Sequence, residues 1–252
     1  MKPIEFYSNR LWGKNSSKGL LDREKKAMEF MKSLIKMDHQ INFLDVGCGN
    51  GKFISYLHKK YPYLKFWGID YSKDEIEKAS RTSFNFKRVN LEKGTPFPDE
   101  HFDIIYAAEI IEHMYNPDFL LSEINRILKK DGFLILSTPN LCSVYNRILM
   151  LFGIQPLFIE TSVKSNLIGA GMLKKFKTNL PVGHIRIFNK TAIEDILKDN
   201  GFNILKIRGA IFESFPIVIK KIDKAFSLFP TLSSGFIILS KKIENADNKN
   251  EK

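Results

Sequence analysis

The sequence predicts an α/β fold in which a mainly parallel sheet is covered by helices on both faces. Three observations carry that expectation. Strand-like and helix-like stretches alternate five times before residue 140, joined by short links, which is the pattern of a parallel sheet with crossover helices. Phe102–Ala107 (FDIIYA) is almost continuously apolar, as a strand buried on both faces is. Asn42-Phe-Leu-Asp-Val-Gly47 is a short apolar run that ends in closely spaced glycines, as a strand entering a tight turn does.

The elements follow in order. Asp22–Met37 places Ala27, Met28, Met31, Leu34 and Ile35 at helical spacing. After the first strand, Phe53–Lys60 reads as a helix stopped near Pro62, Leu64–Asp70 as a second strand and Lys73–Ser80 as a second crossover helix. Phe86–Asn90 is a third strand and Phe102–Ala107 a fourth. Asn116-Pro117-Asp118 opens a helix running to Lys130, with proline in its first turn. Asp131-Gly132 is expected to close that helix, and Phe133–Ser137 is the fifth strand. Residues 139–183 break the rhythm and read as a lid insertion over one end of the sheet. The alternation resumes with a helix over Thr191–Asn200 ending at Gly201, a strand over Phe202–Ile207, an amphipathic Phe215–Phe229 and a last strand over Gly235–Lys241. The expected organisation is one domain over residues 1–242, with residues 1–40 as a helical cap, and a polar, disordered tail over 243–252.

Composition excludes several classes. With 44% hydrophobic and 27% charged residues in 252, the chain is neither collagen-like, coiled-coil nor largely disordered. Its longest uncharged stretch, Ala225–Ser240, is interrupted by Pro230, Ser233, Ser234 and Gly235 and is too short for a membrane span, which needs about 20 apolar residues. The start MKPIEFYSNR lacks the apolar core of a secretory signal, and two cysteines make no disulfide framework, so a cytoplasmic location is expected. A net charge of +11 favours anionic partners such as RNA, a phosphorylated substrate or an acidic membrane surface, although no block of five basic residues occurs.

The strongest local signal is Phe43-Leu-Asp-Val-Gly-Cys-Gly-Asn-Gly51. A strand, a glycine turn and a helix let a ligand approach bare backbone at the carboxyl end of a sheet. The spacing of Gly47, Gly49 and Gly51 is G-x-G-x-G rather than the G-x-G-x-x-G of dinucleotide sites. Asp45, two residues earlier, opposes a pyrophosphate but suits a ligand bearing an ammonium or sulfonium. Asp70, closing Trp67-Gly-Ile-Asp70, stands where an acid accepts ribose hydroxyls.

Together LDVGCGNG, GIDYS, PFPDEHFDIIYAAEIIEHM and LKKDGFLILSTPN resemble a class I S-adenosylmethionine-dependent methyltransferase of the broad type-11 group, over roughly residues 40–140. The resemblance implies a Rossmann-like seven-stranded sheet whose last strand is antiparallel, with S-adenosylmethionine over the first two strand ends. It carries Asp45, Gly47, Gly49 and Gly51 to the methionine part, Asp70 to the ribose and Asn90–Leu91 to the adenine, where the family more often has Asp-Ala, and it counts Tyr71 among the cofactor-binding residues. It also carries the Ala107 backbone to the amino-acid end.

Glu109-Ile-Ile-Glu112-His113 follows the fourth strand, and i, i+3, i+4 spacing puts Glu109, Glu112 and His113 on one face if the segment is helical. With His184 of Gly183-His-Ile-Arg-Ile-Phe188, the set is similar to one found in ubiquinone-pathway O-methyltransferases and small-RNA 2′-O-methyltransferases. That likeness implies a divalent ion (Mg²⁺, Mn²⁺ or Zn²⁺) on Glu109, Glu112, His113 and His184, lowering the pKa of a bound hydroxyl. The other reading makes His113 or His184 a general base. His39, His58 and His101 lie in charged segments and need no role.

Methylation of nucleobase amines goes with an Asn-Pro-Pro-Tyr-like run where this chain has Ala107-Ala-Glu109, and cytosine C5 chemistry needs a Pro-Cys pair where Leu141 precedes Cys142. Both are disfavoured. The apolar stretches Val144–Phe158 and Phe215–Phe229, with scattered Lys and Arg, suit ordinary packing, a hydrophobic acceptor pocket or a peripheral membrane contact. The expected activity is O-methylation of a small-molecule, glycan or lipid-linked acceptor. RNA 2′-O-methylation and cofactor binding without catalysis stay open.

Overall fold

The computed structural model describes residues 19–35, 40–175 and 179–243. A seven-stranded sheet runs β3-β2-β1-β4-β5-β7-β6. Its strands are β1 (Asn42–Val46), β2 (Lys65–Asp70), β3 (Asn85–Arg88), β4 (Phe102–Ala108), β5 (Leu128–Pro139), β6 (Phe202–Ala210) and β7 (Gly235–Lys242). The first five pair in parallel, and β7 inserts antiparallel between β5 and β6. This is the Rossmann-like α/β sheet that the resemblance implied. Among the described residues no helix is long and apolar enough to cross a membrane.

Both faces of the sheet are covered, and the period-2 alternation of each strand sorts the core into two layers. Leu44, Ile105, Leu134 and Ile238 point to one side, where α4 (Pro117–Ile127) and α6 (Lys190–Asp199) bury Leu121, Ile124 and Leu197. Phe43, Ile104, Ile135 and Ile237 point to the other, against α1 (Asp22–Leu34) and α2 (Lys52–Lys60), which bury Met31, Ile54 and Leu57. Asn116 caps α4, its Oδ1 accepting from the Phe119 N–H at 3.0 Å, and Asn189 caps α6 by accepting from the Ala192 N–H at 2.8 Å. The crossover between β2 and β3 is α3 (Lys73–Ala79).

Two local expectations are corrected. The helix opened by Pro117 ends at Ile127, and Asp131-Gly132 sits inside β5 rather than capping a helix. Fully buried Leu128 already pairs with Phe102, while the next register pair is Ile104 with Phe133, so Asp131, at φ +61°, belongs to a bulge that ladder pairing and burial impose over the local Asp-Gly signal. The Glu109–His113 segment is not an α-helix. Glu109 has φ +55° and only a 3-10 turn over Ile111–His113 follows. The first helix ends at Leu34. Residues 36–39, including His39, lie outside the described residues, as does the tail from 244.

The insertion between β5 and α6 carries α5 (Val144–Leu151), a loop and a short 3-10 stretch, Gly171–Lys175, and it packs beside α7 (Ile217–Phe226). The rings of Tyr145 and Phe215 lie 4.9 Å apart, and the Tyr145 hydroxyl donates to the Ile219 carbonyl at 3.4 Å.

Candidate active site

A cavity of about 1090 Å³ opens at the carboxyl ends of β1, β2 and β4 and runs beneath the insertion. Its inner end is built by the glycine turn. The N–H groups of Gly47 and Cys48 both donate to the Ile69 carbonyl, at 2.8 and 3.1 Å, locking the turn to the end of β2. Gly47 sits at φ +77°, and a Cβ there would stand 2.1 Å from Cδ1 of Ile110, which also lines the cavity, so only bare backbone fits beside it. Gly47 and Gly49 line the cavity, whereas Gly51 does not. Gly51 starts α2 at φ +74°, where a Cβ would meet the Phe86 ring at 2.5 Å.

Asp70 lines the same end. Its two carboxylate oxygens accept from the N–H groups of Gly49 (2.9 Å) and Ser72 (2.8 Å), which fixes the group while each oxygen keeps a lone pair for a ligand. Burial raises the Asp70 pKa, and those backbone donors work against the shift. Tyr71, Asn90 and Leu91 form the adjoining wall. The Arg88 guanidinium lies 5.2 Å from the Tyr71 ring centre, and Asn90 Oδ1 accepts from the Glu92 N–H at 3.1 Å. Asp45 and Ala107 are buried off the cavity wall, and Ala108 provides the surface expected of Ala107. Burial, then Glu24 and Asp70, raise the Asp45 pKa well above the carboxylate range.

Under the insertion the wall changes character. Glu112 is fully buried. Its Oε2 accepts from the Thr138 hydroxyl at 3.1 Å and its Oε1 has no partner among the described residues. Burial, reinforced by Glu109, holds its pKa well above the usual carboxylate range, while the Thr138 hydroxyl and Arg23 work against that shift. The imidazoles of His113 and His184 lie 4.9 Å apart. His113 Nδ1 faces the Gly183 carbonyl at 3.0 Å and His184 Nδ1 the Phe158 carbonyl at 2.9 Å, so in both rings Nδ1 is the donor and the lone pair is at Nε2. Burial, then the neighbouring His184, push the His113 pKa down to about 4.

Glu112, His113 and His184 offer ligand atoms all within 4.8 Å of one another. Glu109 stands outside that cluster. It accepts from the Ser137 hydroxyl at 2.9 Å and lines the cavity between the glycine turn and the histidines.

Two cavity residues carried no signal in the sequence. Arg23, on α1, lines the wall; burial lowers its pKa, but the charges of Glu109, Tyr106, Glu24 and Glu112 outweigh that and raise it. Glu160 accepts from the N–H groups of Val182 and of Gly183 (2.6 Å), tying the insertion to the residue whose carbonyl faces His113. The charges around Arg23 come from distant parts of the chain, Glu160 reaches the far end of its own insertion, and neither side has a recognisable pattern. The outer walls are apolar: Leu149, Leu157, Phe158, Phe212, Phe215 and Ile219.

A family model described as a methyltransferase domain matches residues 9–207. A ubiquinone biosynthesis O-methyltransferase of Rickettsia typhi is 24% identical over 223 residues, covering 84% of this chain and 82% of its own. The (S)-coclaurine N-methyltransferase of Papaver somniferum is 38% identical over 96 residues, 36% of this chain. Several such matches span only 27–42% of the relative's length. A solved structure of a SAM-dependent methyltransferase from Methanosarcina mazei superposes with a TM-score of 0.58 at 18% identity, covering 84% of this chain and 97% of its own, which is a likeness of fold.

Proposed function

This chain belongs to the methyltransferase-domain family, within the class I S-adenosylmethionine-dependent methyltransferases, and from that premise we propose that it O-methylates a small, largely apolar acceptor, free, glycan-borne or lipid-linked. The observation that carries the reading is the continuity of one cavity from the glycine turn, past Glu109 and the two histidines, to apolar walls. At about 1090 Å³ it exceeds what a single ligand usually occupies, so a cofactor and an acceptor fit end to end.

The residues present fit S-adenosylmethionine. Gly47 leaves no room for a side chain beside the cavity, Asp70 is fixed with lone pairs to spare for vicinal hydroxyls, and Tyr71, Asn90 and Leu91 offer a flat, half-apolar wall for a base. When bound, the cofactor supplies an electrophilic methyl group. The chain's own task is then to hold the acceptor oxygen in line, exclude water and take up the hydroxyl proton. His113, its pKa pushed down to about 4 by burial and by His184, is a weak base at neutral pH; His184 lines the cavity with Nδ1 held by the Phe158 carbonyl, and its Nε2 lone pair is the candidate to take up the proton.

A divalent ion also fits, on Glu112, His113 and His184. Among the described residues the buried Glu112 Oε1 lacks a partner, and both rings turn their lone-pair nitrogen away from a backbone carbonyl. Such an ion would supply Lewis-acid activation of the hydroxyl, with Glu112 binding as the carboxylate. RNA 2′-O-methylation is the second reading, favoured by the +11 charge and the same three residues. The apolar outer walls favour the smaller acceptor.

The test is thermal unfolding with S-adenosylmethionine, with EDTA and with added Mn²⁺ or Mg²⁺. Ligand at about 100 times its dissociation constant adds about 2.7 kcal/mol, or roughly 5–11 °C for a domain of this size. A cofactor shift enlarged by metal supports the metal-assisted form, and one indifferent to metal supports His184 as the base. No shift at millimolar cofactor contradicts the proposal.

A further inference from the structure

The outer surface of the insertion runs against the usual order of a water-facing helix. On α7, Ile219, Asp223 and Phe226 point inward, Ile219 into the cavity wall and Asp223 to hydrogen bonds with the Phe212 N–H and the Ser234 hydroxyl. The outward positions carry Ile217 and Val218, which are 75% and 70% exposed, together with Ile222. On α5, Asn146 is buried and Leu149 lines the cavity, while Leu151 and the following Phe152 are 84% and 75% exposed. These two helices pack on each other through Tyr145, and the exposed residues are sequence neighbours of the cavity-lining Ile148 and Leu149 on α5 and Ile219 on α7. Met172, 79% exposed, adjoins the cavity residue Leu173.

Charge around this rim is one-sided. Arg147, Lys164, Lys174, Lys175, Lys221 and Lys224 are exposed in residues 141–183 and 211–232. The acids of these segments are Glu160, Glu213 and Asp223. Glu160 is taken up by backbone N–H groups, Glu213 pairs with Lys220, and Asp223 is fully buried. Exposed aliphatic and aromatic side chains among uncompensated lysines match a surface that is apolar below and anionic at its headgroups, whereas a water-facing or nucleic-acid-facing surface has no use for the apolar part.

We propose that the α5–α7 rim docks on an anionic lipid surface, so that the cavity mouth opens onto the membrane and an amphiphilic acceptor enters from it. The proposal rests on the methyltransferase reading for the acceptor but not for the docking. The test uses the full chain with vesicles of phosphatidylcholine alone and of phosphatidylcholine doped with phosphatidylglycerol, read by co-sedimentation. Each sample is also scored for its thermal shift with S-adenosylmethionine. The expected result is binding to the anionic vesicles, weakened by salt, and reduced about tenfold or more by the pair Phe152→Asp and Ile217→Asp and by the pair Lys221→Glu and Lys224→Glu, with the cofactor shift unchanged in all. Three results would overturn it: no binding to either vesicle while the cofactor shift is intact, binding indifferent to the four substitutions, or a concentration-dependent dimer that buries the rim. Loss of the cofactor shift alone would instead strike the methyltransferase reading and leave docking standing.

Discussion

The two ends of the cavity are built on opposite principles. At the glycine turn, backbone does the work: Gly47 and Cys48 donate to Ile69, Asp70 accepts from Gly49 and Ser72, and the side chains that pack there come from the sheet's own buried layers. Under the insertion, side chains carry the chemistry, and distant segments hold them. Glu112 leans on Thr138, His113 on Gly183, His184 on Phe158, and Glu160 ties the loop together. The first end is rigid and specified locally, while the second is assembled from contacts across the fold and leaves large apolar side chains exposed. Such a division suits one invariant ligand and one that differs between relatives.

Breaking the first end should cost most. Gly47→Val forces a Cβ into Ile110 at a positive φ, and the expected outcome is loss of the cofactor-dependent thermal shift with about 2–4 kcal/mol of destabilisation. Gly51→Ala sharpens the contrast. Its clash is with Phe86, a half-buried ring packed against the core, so a comparable destabilisation should appear in denaturant melts while the cofactor shift survives. If Gly51→Ala abolishes the shift and Gly47→Val does not, the assignment of the wall is reversed.

At the second end the leading effect is pH. His113 titrates near 4 when folded and near 6.5 when unfolded, so the unfolded chain binds more protons between those values and stability falls as pH drops through them, by on the order of 3 kcal/mol. Glu112 acts in the opposite direction. Its folded pKa is raised, so its contribution is fully present below the unfolded value and is lost as pH rises through the window above it. Urea melts of His113→Gln should lose the acid-side decline. Glu112→Gln, which keeps the side chain's shape and removes its titration, should cost less than about 1 kcal/mol below the usual carboxylate range, gain on the wild type as pH rises, and abolish any metal-dependent shift. A cost of several kcal/mol would mean that Glu112 is ionised and paired. The smallest effect belongs to the rim: Phe152→Asp should leave stability within about 0.5 kcal/mol, since the ring is 75% exposed.

The same division decides what could be read in the sequence. The glycine turn, Asp70 and the buried strands were legible because a turn's φ requirement and a strand's period are written within a few residues. The Glu109–His113 spacing suits a helix face, but Glu109 adopts φ +55°, its amide N–H donating to the Ser137 carbonyl, so among the described residues Glu112 and His113, without Glu109, join His184. Asp131-Gly132 carries the local chemistry of a helix stop, and the pairing of Leu128 to Phe102, which lies outside that local pattern, overrides it. Arg23 and Glu160 were silent, since a lone charge in a polar segment looks the same whether it faces water or a cavity.

The most direct test of the whole account is methyl transfer from methyl-labelled S-adenosylmethionine into cell extract, separated into lipid, RNA and water-soluble small-molecule fractions. The account predicts label in the lipid or small-molecule fraction, reduced by His184→Gln and by Asp70→Asn. Label confined to RNA, or none in any fraction from protein that binds the cofactor, would contradict it.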